Sequence, residues 1–246
     1  MKRNIKLIIA YDGTRYNGWQ RQGNTNQTIQ EKIEQILFKM SGEEIELHGS
    51  GRTDAGVHAK GQTANFITKS NVPVEQMKEY INQYLPEDIA VLDISEEKER
   101  FHARLNAVRK TYVYRIWNAP VRNVFRRRFT TWIQKPLDLD AMEQAAALLC
   151  GTHDYRAFCS LKKFKKSTVR TIEKIEIGKM GQEIRISYTG DGFLYHMVRI
   201  LTGTLVEVGL GLRKPDEMTE ILEGQDRSKA GRLMPPEGLT LESVEY

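Results

Sequence analysis

Two cysteines, seven prolines and three tryptophans are all that the 246 residues hold of these types. Cys150 and Cys159 form no CxxC or Cys/His pattern, which removes a disulfide framework and a cysteine metal site from consideration. A reducing compartment is then the simplest setting, and a cytoplasmic protein is expected. No apolar run approaches membrane-spanning length, and Met1-Lys2-Arg3-Asn4 opens onto a segment too short and too polar for a signal peptide, so no membrane is expected as a partner. What is present suits a soluble globular chain: 40% hydrophobic and 28% charged residues, with length enough to bury a full core in one large or two small domains. Lysine and arginine number 37 against 32 acidic residues, a net charge of +5 that leans toward polyanionic partners.

Hydrophobic spacing divides the chain. Ile5, Leu7 and Ile9 recur at every second residue, as in a strand, and Asp12-Gly13 signals the turn after it. Thr28-Ile29-Gln30-Glu31 fits a capping box, followed by one apolar helical face of Ile29, Ile33, Ile36, Leu37 and Met40. Strands are expected over 45–47 and 62–67, then a helix from Pro73 whose Val74, Met77, Ile81, Tyr84 and Leu85 share a face, then a strand over 89–94. Strand, helix, strand, strand, helix, strand is the split βαβ order of ferredoxin-like domains. After a charged connector over 95–104 a similar order returns. It begins with a long strand over 108–118 and a helix capped by Asp138 or Asp140. Strands near 168–177 and 184–188 follow, and Gly190-Asp191-Gly192 turns the chain into a helix bearing Phe193 to Val208. A shorter helix from Pro215 and a closing strand over 239–244 complete it. The expected class is α+β, two ferredoxin-like β-α-β-β-α-β halves over 1–104 and 105–246 with a cleft between them.

The densest cluster of chemistry lies in the loop from Gly49 to Ala59. Its glycines permit positive φ and close backbone approach, and Asp54 stands two residues from Arg52. A neighbouring guanidinium favours the ionised carboxylate, which can serve as nucleophile or general base. The alternative is an Asx-type turn in which Asp54 bonds its own backbone, and spacing alone favours it. A second loop, 11–22, interleaves Tyr16 and Trp19 with Arg15 and Arg21, groups that stack on bases and pair with phosphates when exposed, or pack the core edge when not. Two basic runs, Arg122 with Arg126, Arg127 and Arg128, and Lys162, Lys163, Lys165, Lys166 with Arg170, fall on expected connectors. They are either solvated faces or salt-sensitive contacts to nucleic acid. His58 and His196 lack further ligands at metal-like spacing, so no metal is assigned.

Six motifs taken in order resemble the tRNA pseudouridine synthase A family: Tyr11-Asp12-Gly13, Gly18 to Gln22, Gly51-Arg52-Thr53-Asp54-Ala55-Gly56-Val57-His58, Phe101-His102-Ala103-Arg104, Tyr112-Val113-Tyr114, and Phe193 to Arg199. The resemblance covers nearly the whole chain, and the loop around Asp54 is its most specific part. It implies a pseudouridine synthase fold, a mixed and mainly antiparallel sheet with a central cleft. The implied enzyme isomerises uridine to pseudouridine at positions 38, 39 and 40 of the tRNA anticodon stem-loop, without cofactor or metal, as a homodimer. Asp54 matches the nucleophile, Tyr112 the tyrosine set against the target base, Arg199 the basic partner of the carboxylate, and Arg52 an arginine associated with the flipped nucleotide. One departure is Asp191, where many family members carry asparagine. A stacked base hides its glycosidic bond, so the nucleotide has to be extruded to react.

Two rival readings use the same residues. One is a non-catalytic RNA-binding module, in which Asp54 is dispensable. The other is a magnesium-dependent phosphodiesterase in which Asp54, Asp191 and nearby carboxylates hold the ion.

Overall fold

The computed structural model describes residues 2–164 and 166–246. Among them are ten strands and five helices with mainly antiparallel pairing, an α+β architecture. The chain forms two compact units, one reaching Val108 and taking back Leu241–Tyr246, the other Arg109–Thr240. None of the helices among the described residues is long and apolar enough to cross a membrane.

In the first unit, β1 (Arg3–Tyr11) lies between β3 (His58–Thr68) and β4 (Ile89–Glu97), antiparallel to both, with Ile5 opposite Phe66 and Leu7 opposite Ala64. The two-residue β2 (His48–Gly49) and the C-terminal β10 (Leu239–Glu245) both pair with β3 on the edge away from β1. Helix α1 (Ile29–Ser41) starts because Thr28 accepts the amide of Glu31, and it stops at Gly42, whose φ of 72° closes the last turn. It buries Ile29, Ile33, Ile36 and Leu37. Helix α2 (Val74–Tyr84) buries only Met77 and Ile81, and Tyr84, expected on the same face, lies exposed beside Tyr80.

The strand expected over 45–47 is not formed. Leu47 gives its amide to Glu34 Oε1 at 2.9 Å and its carbonyl to Gln30 Nε2 at 3.2 Å, so its main chain is spent on side chains of α1. Ile45 and Leu47 are nonetheless buried.

In the second unit, β5 (Arg109–Asn118), β9 (Glu183–Gly190), β8 (Val169–Met180) and β7 (Gly151–Asp154) follow one another across an antiparallel array, and β6 (Thr131–Ile133) pairs parallel to β5. Alternation along β5 turns Tyr112, Tyr114 and Ile116 inward, opposite Tyr188, Ile186 and Ile184 of β9. Asp138 caps α3 (Leu139–Leu148) through the amide of Ala141. Helices α4 (Met197–Gly209) and α5 (Glu217–Gly224) complete the unit. Two findings depart from the spacing. β6 and β7 are too short to show a period, and α4 begins at Met197 rather than Phe193, because His196 has a φ of 66° that an α-helix cannot contain.

Candidate active site

The first unit holds Asp54, and the glycines around it explain how the loop is held. Asp54 O accepts the amide of Val57 at 3.1 Å across a turn whose third residue, Gly56, has a φ of 78°. The amide that an Asx turn would need, that of Gly56, goes instead to Tyr16 O at 3.2 Å. Gly18, at φ 89°, brings its backbone so near that a Cβ there would sit 2.5 Å from Thr53 O, and a Cβ on Gly13 would sit 2.0 Å from Val57 O. Four further bonds fix the ends: Trp19 N to Thr53 O at 3.1 Å, Tyr11 Oη with Thr53 Oγ1 at 2.8 Å, Gly13 N to His58 Nδ1 at 3.0 Å, and Gln62 Nε2 to Gly51 O at 2.8 Å. Thr53 and Val57 are thereby buried on either side of a half-buried Asp54. The turn carries a carboxylate on backbone that has little room to relax, the condition for a group that must act in one geometry.

Spacing alone did not reveal Gly13, Gly18 and Gln62 as the cradle of this loop. The paired Gly13 and Gly18 on either side of Tyr16 were the available signal, visible only as turn residues.

The two aromatics of the 11–22 loop serve the core. Trp19 is 1% exposed and rests on Gly49, where a Cβ would come within 2.5 Å of the indole, and Tyr16 is buried with its hydroxyl on Asp88 at 2.5 Å. Of the two alternatives for these rings, packing the core edge is the one found. Arg15 pairs with Asp88 at 2.6 Å. Arg21 is held by Glu31 at 2.8 Å and Glu34 at 3.4 Å, with most of its side chain in solvent. Arg52 is exposed and donates from Nε to Gln20 Oε1 at 3.1 Å.

The second unit holds Tyr112 and Arg199. Tyr112 is 8% exposed and meets Phe193 edge to face, the centroids 5.2 Å apart. Its neighbour two residues on, Tyr114, bonds Thr131 Oγ1 at 2.6 Å and donates to Pro235 O at 2.7 Å, and burial pushes its hydroxyl well above the ordinary tyrosine range. Arg199, also 8% exposed, donates from Nε to Met234 O at 2.7 Å. The segment that carries this carbonyl can lie against α4 only because Gly203 and Gly231 lack side chains. A Cβ on Gly203 would stand 1.9 Å from Arg232 O, and one on Gly231 would stand 2.6 Å from Thr204 N. Spacing gave no sign of Met234, since a carbonyl has no sequence signature. Just before α4, His196 stacks on Tyr195 at 3.7 Å and reaches Ser160 Oγ at 2.9 Å from Nδ1. Asp191 accepts the amide of Thr171 at 3.0 Å, a bond that an asparagine oxygen could make equally well.

Of the basic connector, Lys162, Lys163 and Lys166 are exposed, while Lys165 lies outside the described residues. Among the described residues no group of three or more His, Cys, Asp or Glu side chains is placed to hold a metal ion.

Residues 7–106 and 145–246 match the family described as tRNA pseudouridine synthase. The chain is 49% identical over 243 residues to the tRNA pseudouridine synthase A of Bacillus sp. strain KSM-64, covering 99% of each. It is 47% identical to tRNA pseudouridine synthase A 2 of Clostridium tetani and 46% identical to tRNA pseudouridine synthase A of Brevibacillus brevis, with all of each chain covered.

Proposed function

This chain belongs to the tRNA pseudouridine synthase family, enzymes that isomerise uridine of tRNA, and we propose that its targets are positions 38, 39 and 40 of the anticodon stem-loop. The observation that carries this reading is the Asp54 turn, a carboxylate on main chain pinned by Gly13, Gly18 and Gly56. Isomerisation breaks the bond from N1 to C1′, forms one from C5 to C1′, removes the C5 proton and leaves a proton on N1. Nothing is oxidised and no water is consumed, so no cofactor is called for.

In this reading Asp54 is the nucleophile that assists detachment of the base after the nucleotide has been flipped out of its stack. Arg199 supplies the positive charge that pairs with the Asp54 carboxylate. Tyr112 lies against the target base and moves the proton from C5. Arg52 attends the flipped nucleotide, while Arg21, Lys162, Lys163, Lys165 and Lys166 meet phosphates. Residues 1–104 then carry the nucleophile, and residues 105–246 carry the cationic support. The enzyme acts in the cytoplasm as a homodimer.

The test is Asp54→Asn assayed on tRNA bearing tritium at C5 of uridine. The variant is expected to bind tRNA and release no tritium. Release at the parental rate would remove Asp54 from the chemistry.

A further inference from the structure

The 119–130 loop holds a bare aromatic ring out into solvent. Phe125 is 93% exposed, and Val121 and Val124 beside it are 75% and 58% exposed. Such a side chain on slack backbone would fold back on its neighbours, but this backbone is not slack. Trp117 and Trp132 lie opposite one another in the β5–β6 pair. Each indole N–H donates into the loop, Trp117 to Val121 O at 3.0 Å and Trp132 to Ala119 O at 2.9 Å. Asn123 Oδ1 accepts the amides of Phe125 and Arg126 at 3.1 and 3.2 Å, and Arg126 O accepts Phe129 N at 2.9 Å and Thr130 Oγ1 at 3.0 Å. Arg126 is further anchored on the buried Glu183, and Arg122 lies over the Trp132 ring at 4.4 Å. The ordering entropy of the loop is thus already met before anything binds.

Charge decides the occupant. Residues 119–130 contain four arginines and no acid. The same face of a second copy would set arginine against arginine, whereas an unpaired nucleobase brings a phosphate on either side of a flat apolar ring. We propose that Phe125 is a preformed stacking platform for an unpaired base of the bound tRNA, flanked by arginines that meet its phosphates. This rests on the reading that the chain acts on tRNA.

The experiment measures binding of an unmodified tRNA transcript, tritium release from the same transcript, and oligomeric state by sedimentation, for the parent and for Phe125→Ala, Phe125→Leu and Phe125→Tyr. Loss of one stacked base weakens binding by about ten-fold, so Phe125→Ala and Phe125→Leu should both raise the dissociation constant by that order. Phe125→Tyr should restore it, and sedimentation should not change. Equal affinity in all four proteins overturns the proposal, as does full rescue by leucine. Weakened binding that appears only together with dissociation of the oligomer makes the loop a protein–protein surface and overturns it too. A parent that releases no tritium from any tRNA refutes instead the underlying reading.

Discussion

Arg199 Nε donates to Met234 O at 2.7 Å, so main chain takes part in setting the plane of a buried guanidinium. Lysine has neither the Nε donor nor the planar fork. Arg199→Lys is expected to lower tritium release by roughly 100-fold or more, the usual cost of losing a preorganised charge-stabilising donor, while tRNA binding stays within a few-fold. Single-turnover kinetics beside a binding titration would check this, and a variant of parental rate would contradict it.

The glycines that let the Met234 segment approach α4 make a second expectation. Gly203→Ala places a methyl against Arg232 O, backbone against backbone, and should cost about 1–3 kcal/mol of stability. Gly224→Ala is the control: it ends α5 with nothing within 4 Å of the added carbon, so it should be neutral or stabilise by up to ~1 kcal/mol. Thermal unfolding of the two variants distinguishes them.

Neutralising Lys162, Lys163 and Lys166 together should weaken tRNA binding and flatten its salt dependence. If each meets a phosphate, the slope of log K against log salt falls by roughly 0.7–0.9 per lysine removed. Affinities measured at several salt concentrations give the slope directly, and an unaltered slope would place these side chains away from the RNA.

Glu183 gives an expectation about acid. Burial pushes its carboxyl up, but the bond from Arg185 at 2.5 Å and the charges of Arg185 and Arg126 outweigh burial and bring it below the ordinary value of 4.5. A carboxylate whose folded value is depressed binds its proton more readily in the unfolded chain. Its stabilising contribution is therefore complete above 4.5 and disappears as pH falls below that point. Parent and Glu183→Gln should differ in melting temperature at neutral pH and converge as the pH falls below 4.5; a constant gap would contradict the assignment.

Much of the fold could be read from spacing because the period belonged to whole elements. Alternation over 108–118 marked the long strand β5, and the capping box at Thr28 marked the start of α1. What escaped depended on partners distant in sequence. The polar side chains of Gln30 and Glu34 took the main chain of Leu47, and the absence of a Cβ at Gly49 drew Trp19 inward, turning an apparent RNA-facing aromatic into core. At the site, the string around Asp54 was conspicuous because its residue types are unusual together. The carbonyl that orients Arg199 left no trace in the sequence.

The late start of α4 changes the electrical setting of its arginine. Because His196 keeps the chain out of the helix until Met197, Arg199 is the third helical residue, where the aligned amides of the opening turn already carry partial positive charge. A cation there costs an isolated helix about 0.3–1 kcal/mol, since that position favours an acid. The chain therefore superposes two sources of positive potential at one point, a setting that favours negative charge beside that turn.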